Sequence, residues 1–266
     1  MNIYSEVCGN GTPILMIHGI ISDQSFFDGI TQYLSRQYAL IRYDRRGYGK
    51  SVEENKDTYS VKAQTEDAYQ VLKKHTNSAA YIVAHSAGSV IALELAICYP
   101  ELVKGMVLVE PAFGLEPESA VCLKEWNYKL NNYAEARKLS KAFTAFFEIA
   151  GVEKNKKSNV RSGANNMGKI KMVMKNLENF MYGELNEIQR YLPDTEKVKE
   201  LDIPIIIGVT KDREKNLFAK ASKSEAELFG WPIWSLPGGH NSIEDEPEVV
   251  AKEIFHILEK LEEDRR

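Results

Sequence analysis

The sequence predicts an α/β fold: a mostly parallel sheet with helices on both faces and a helical cap inserted between two strands. Three observations lead there. Short apolar runs alternate with amphipathic stretches, the rhythm of strands joined by crossover helices. Nearly every run stops at a polar residue, namely His18, Asp44, Ser86, Glu110, Asp212 and His240. In open parallel sheets, ligands gather at the carboxyl ends of the strands, so that coincidence points to one site. Residues 114–196 break the rhythm. They are rich in Lys, Asn and Glu with interspersed aromatics such as Trp126, Tyr128, Tyr133, Phe180 and Tyr182.

Taken in order, Ile14 to Ile17 is a short apolar strand ending at His18-Gly19, and Ala39 to Tyr43 a second, ending at Asp44. Residues 61–75 carry Val61, Ala68, Val71 and Leu72 on one side and read as a helix. A buried strand from about Ala79 runs into Ser86, and a nearly all-apolar helix follows until Pro100 stops it. Met106 to Val109 is the next strand, ending at Glu110-Pro111. Ile205 to Ile207 is another, ending near Asp212, with a helix at about Asn216 to Leu228. The last strand, Trp231 to Leu236, leads into Pro237-Gly238-Gly239-His240, and Glu248 to Glu262 is an amphipathic tail helix. The division that results is a core of residues 1–113 and 197–266 with a cap of residues 114–196, inside which Glu153 to Arg161 reads as a solvated loop.

The chain has 266 residues, enough for one large domain with an insertion. A formal net charge of -4 argues against an electrostatic nucleic-acid partner. No run approaches the ~18 apolar residues of a membrane span. Met1 to Glu6 lacks the basic and then apolar pattern of a signal peptide. Cys8, Cys98 and Cys122 are odd in number and widely spaced, so a reducing cytoplasm is the expected setting. No glycine-rich phosphate loop, dinucleotide fingerprint or metal-ligating pattern is present; Gly49-Lys50-Ser51 mimics a P-loop end, but Asp44 stands where its first glycine would be. No cofactor and no metal are therefore expected.

The chemistry concentrates at Ser86. A buried strand that turns within two residues into a buried helix needs a very sharp bend, and Ala84, Ala87 and Gly88 supply the small side chains that let the two backbones approach. Such a bend pushes the serine hydroxyl out of the sheet and sets helix-start N–H groups beside it. Serine needs a base to act as a nucleophile at neutral pH. Of five histidines, His256 falls on the polar face of the tail helix and His75 beside Lys73 and Lys74 at a helix end. His85 is expected to point away from the pocket and His18 to brace the Gly19 loop, which leaves His240 on its Gly-Gly-His turn. The imidazole needs a carboxylate behind it. Asp212 is the expected partner, because it follows a strand and gives the order Ser, Asp, His; Glu110, also at a strand end, is the alternative. Backbone N–H groups of Ala87 and Ile20 are expected to form an oxyanion hole, with Ile21 the competitor of Ile20.

With these residues assembled, the chain resembles the α/β-hydrolase superfamily, in its capped single-domain form. The matching features run in order: His18-Gly19; Asp44 to Ser51 (Asp-Arg-Arg-Gly-Tyr-Gly-Lys-Ser); the elbow at 84–88; Tyr99-Pro100-Glu101; and Gly239-His240. Ala84 replaces the common first glycine of the elbow, and Ser89 stands where a further glycine is frequent. The resemblance implies a nucleophile, acid and base at Ser86, Asp212 and His240, and an acyl-enzyme route to carboxylic ester hydrolysis on a small molecule. The same triad serves C–C bond, lactone and amide hydrolysis and acyl transfer, and a ligand-sensing protein on this fold is the rival of another class. Serine at 86 argues against the epoxide- and halide-removing relatives, which use aspartate.

Overall fold

The computed structural model describes residues 2–52, 59–111, 113–115, 117–149, 165–211 and 217–264. Seven strands form one sheet in the order β1-β3-β2-β4-β5-β6-β7. They are β1 (Ser5–Cys8), β2 (Thr12–Ile17), β3 (Tyr38–Tyr43), β4 (Ala80–His85), β5 (Val103–Val109), β6 (Ile205–Thr210) and β7 (Ile233–Leu236). All neighbours run parallel except β1, which pairs antiparallel with β3 at the edge. The chain winds outward from β2 to β3, then reverses and lays β4 on the other side of β2. That reversal opens a crevice at the carboxyl ends of β2 and β4, where Gly19 and Ser86 lie.

Strand alternation sorts the apolar side chains into two cores. Leu15, Ile17, Ile82, Ala84, Met106 and Leu108 face one side. They pack there with α2 (Val61–His75), α3 (Gly88–Cys98) and residues of α9 (Leu217–Phe229). Ile14, Met16, Tyr81, Val83, Val107 and Val109 face the other, against α1 (Asp28–Leu34), α10 (Ser242–Asp245) and α11 (Pro247–Glu263). Each wholly buried Leu, Ile or Val contributes about 1.5–3 kcal/mol, so the central strands, buried on both faces, anchor the molecule. In α11, Val250, Ile254, Ile257, Leu258 and Leu261 are buried on one stripe and His256 is exposed on the other.

Between β5 and β6 lies a helical insertion: α4 (Pro117–Glu135), α5 (Leu139–Ile149), α6 (Asn165–Asn179), α7 (Leu185–Arg190) and α8 (Thr195–Lys199). A π-helical segment, Phe180–Glu184, links α6 to α7. Leu130, Ala142, Leu177 and Phe180 form its own small core, which closes onto Tyr48 and Ile21 of the sheet loops. The expected loop at 153–161 lies outside the described residues. The sequence does not announce every described element. The edge strand β1 is too short and polar to show alternation, and α1 follows a 3-10 turn at Gln24–Phe27 rather than a strand end.

Candidate active site

Ser86 has φ +52, a left-handed backbone that a side chain adopts only when its surroundings enforce it. The enforcement is visible on both sides. Its N–H donates to Val109 O on β5 at 2.9 Å, and Ala84 is fully buried within the sheet. A Cβ at Gly88 would stand 2.4 Å from Ile17 O and 2.7 Å from His18 O, so only glycine lets α3 start against the end of β2. The bend expected from the small residues is thus present, and Ser86 lines the crevice above it.

The next strand ends in a second residue of the same kind. Glu110 has φ +46, is fully buried, and donates its N–H to Gly208 O at 2.9 Å. Its Oε2 meets His240 Nδ1 at 2.6 Å, while Oε1 accepts from the N–H of Thr210 at 3.2 Å and from its hydroxyl. Burial alone would raise this carboxyl. The hydrogen bond and charge of His240, with the two Thr210 donors, instead hold it below the usual carboxylate value. Glu110 therefore stays ionised through the neutral range and fixes the proton of His240 on Nδ1, leaving Nε2 as the basic nitrogen. Asp212, the expected partner, lies outside the described residues.

His240 is itself nearly sealed. Its ring stacks on Phe218, with centroids 4.7 Å apart and planes 22° apart, and its backbone carbonyl sits 2.8 Å from His85 Nε2. Ser86 and His240 line the same cavity of about 760 Å³. Among the described contacts, no hydrogen bond joins the Ser86 hydroxyl to the His240 ring.

His85 departs from expectation. It lines the cavity beside Ser86 instead of pointing away from it. Alternation does send it to the face of Tyr81 and Val83, but the 3-10 turn and the His240 turn fold over that end of the same face. Its ring therefore stacks on Phe26 at 4.6 Å and lies 4.7 Å from the His240 ring. Burial, and then the neighbouring His240, push its pKa down to about 3, so the ring is neutral and its Nε2–H donates to His240 O.

The loop after β2 is braced as expected, with help the sequence did not disclose. Arg45 N–H donates to His18 Nε2 at 3.0 Å, which leaves the His18 proton on Nδ1, donating to Gly19 O at 2.8 Å. Arg45 also donates from Nη2 to Gly19 O at 3.1 Å and reaches across to Glu184 of the π-helical segment, Nη2 to Oε2 at 3.2 Å. Gln64 and Tyr48 complete this buried cluster: Arg45 Nη1 donates to Gln64 Oε1 at 2.9 Å, Gln64 Nε2 to Glu184 at 2.8 Å, and the Tyr48 hydroxyl to Glu184. Arg46, the next residue, pairs with Asp67 on α2 through two hydrogen bonds of 2.6 and 2.8 Å. Of the cluster, Arg45 sits inside a visible motif, whereas Glu184 lies in a polar helical stretch that nothing in the sequence distinguishes.

Ile20 follows this braced loop, and Ala87 opens α3. Among the described contacts, neither N–H has a protein acceptor, and both residues line a second cavity of about 610 Å³ that also reaches Ser86. No group of three or more metal-ligating side chains occurs among the described residues, and no described helix is long and apolar enough to cross a membrane.

Comparison with known proteins agrees with this architecture. A model of the alpha/beta hydrolase fold family matches residues 12–156, more than half of the chain. The uncharacterized hydrolase YraK of Bacillus subtilis (strain 168) is 39% identical over 111 residues, covering 41% of this chain and 41% of that protein. The putative carbamate hydrolase RutD of Serratia proteamaculans (strain 568) is 27% identical over 139 residues, 50% of this chain and 52% of its own length. Both matches thus span about half or less of the relative. A thermophilic esterase from Thermogutta terrifontis superposes with a TM-score of 0.75 at 19% identity, over 97% of this chain and 93% of that one.

Proposed function

Because this chain belongs to the alpha/beta hydrolase fold family, we propose that it is a serine hydrolase of carboxylic esters, with Ser86 as nucleophile, His240 as base and Glu110 as the carboxylate behind the base. The observation that carries the reading is the 2.6 Å bond between His240 Nδ1 and a buried, ionised Glu110, in the cavity that holds the strained Ser86. In this scheme Ser86 Oγ attacks the acyl carbon while His240 Nε2 takes its proton. The N–H groups of Ile20 and Ala87 receive the oxyanion, each worth about 3–4 kcal/mol of barrier. His240 then protonates the departing alkoxide, and water cleaves the acyl-Ser86 by the same relay in reverse. Glu110 takes the place expected of Asp212, since the other ring nitrogen of His240 must stay free for the proton transfers.

We read residues 114–196 as a cap that covers the crevice and is bound to it through Arg45 and Glu184. The substrate is then a small molecule enclosed between sheet and cap. The test is labelling with a serine-directed fluorophosphonate, read by mass spectrometry, beside turnover of p-nitrophenyl acetate. The reading requires the label on Ser86 and loss of both label and turnover in Ser86→Ala. Turnover that survives Ser86→Ala, or a protein that takes no label, would overturn it.

A further inference from the structure

Two cavities meet at Ser86, and their linings differ in kind. Ser86 and Ile20 border both. The larger runs under His85 and His240 and is walled by Asp23, Gln24, Lys50 and Asn241. The smaller runs past Ala87 and is walled by Val90, Phe113, Leu123, Trp126 and Phe218. A tetrahedral intermediate on Ser86 leaves its three other substituents little choice. The oxyanion turns to the N–H groups of Ile20 and Ala87. The leaving oxygen must face His240 Nε2, which gives it a proton as its bond to carbon breaks. The acyl chain takes the remaining direction, away from His240 and past Ala87.

From this we infer that the enzyme cleaves esters of an apolar, medium-length carboxylic acid with a short hydroxylated alcohol, the acyl chain lying in the Ala87 cavity and the alcohol in the His240 cavity. Burying an alkyl chain against Val90, Phe113 and Phe218 is favourable, and more so with each added methylene. The alcohol side is lined by polar side chains, Asp23, Gln24, Lys50 and Asn241 among them. A hydroxyl on the departing alcohol pairs with such groups, and an alkyl alcohol displaces their water without replacing its hydrogen bonds. Net chemistry is one ester and one water to acid and alcohol, with no other co-reactant. The inference rests on the ester-hydrolase reading and adds the orientation and polarity of the substrate.

A pair of constitutional isomers separates the two. In 2,3-dihydroxypropyl octanoate the polar part leaves, and in octyl 2,3-dihydroxypropanoate it stays on the acyl carbon. The inference predicts that kcat/KM favours the first by roughly tenfold or more, and that Gln24→Leu shrinks this preference severalfold. Equal, reversed or absent turnover of the isomers, or a preference unmoved by Gln24→Leu, would overturn it; p-nitrophenyl acetate cleaved at Ser86 in the same protein would leave the hydrolase reading standing. Failure of p-nitrophenyl acetate turnover together with absent fluorophosphonate labelling would remove both.

Discussion

Two turns at the ends of neighbouring strands carry residues of the proposed site, and they differ in how their strain is met. The turn after β4 carries Ser86 at φ +52, and the turn after β5 carries Glu110 at φ +46. At the first, the backbone is accommodated by removing side chains: Gly88 abuts two carbonyls, and Ala84 fills the sheet. At the second, it is held by adding partners: Thr210 and His240 both bond the Glu110 carboxylate. The first turn leaves its hydroxyl open to the crevice, as the proposed attack requires. The second buries its carboxylate completely, as the proposed orienting charge requires.

The comparison can be broken most severely at its exposed end. Ser86→Ala should lower kcat by at least about 10⁴-fold with p-nitrophenyl acetate, with thermal stability preserved, since the alanine also relieves no packing contact. Next in size is the brace that reaches both the Gly19 loop and the insertion. Glu184→Ala strands a buried arginine, and urea unfolding should show a loss of about 3–5 kcal/mol. At the Glu110 turn, Thr210→Val keeps the shape and removes the hydroxyl donor. It should cost about 1–2 kcal/mol in kcat/KM, roughly tenfold, with KM little changed. An effect on stability, comparable in size to that of Thr210→Val on turnover, concerns His85. Its folded pKa of about 3 lies below its unfolded value of 6.5, so the unfolded chain binds the extra proton between them. The associated stability is complete above pH 6.5 and falls as pH drops toward 3, by up to about 1.4 kcal/mol per pH unit. Urea midpoints from pH 7 to 5 should show that slope, and His85→Gln, which retains a donor for His240 O, should flatten it.

The same contrast explains what was legible in the sequence. The elbow announces itself because its constraint is local: small residues at fixed offsets between an apolar strand and an apolar helix. The strands and the 61–75 helix were legible for a like reason, since period-two and period-3.6 patterns record which faces are buried. Helix α2 spans Val61–His75, the range its apolar side predicts. The acid behind His240 has no such local signature. Glu110 and Asp212 both end strands, and chain order favoured Asp212; which carboxylate reaches the imidazole depends on the spacing of β5, β6 and the His240 turn across the sheet. His85 was misplaced because alternation gives the face of a strand but not which loops fold over its end. Glu184 was invisible because its partners, Arg45, Tyr48 and Gln64, are over a hundred positions away along the chain.

The central claim, that the buried glutamate after β5 orients the base, is tested most directly by comparing two isosteric variants. Glu110→Gln keeps the volume, removes the charge and favours the wrong His240 tautomer, and kcat/KM for p-nitrophenyl acetate should fall by about 10⁴-fold. Asp212→Asn, measured in parallel, should remain close to the unaltered protein. A large loss in Asp212→Asn with near-normal turnover in Glu110→Gln would contradict the account.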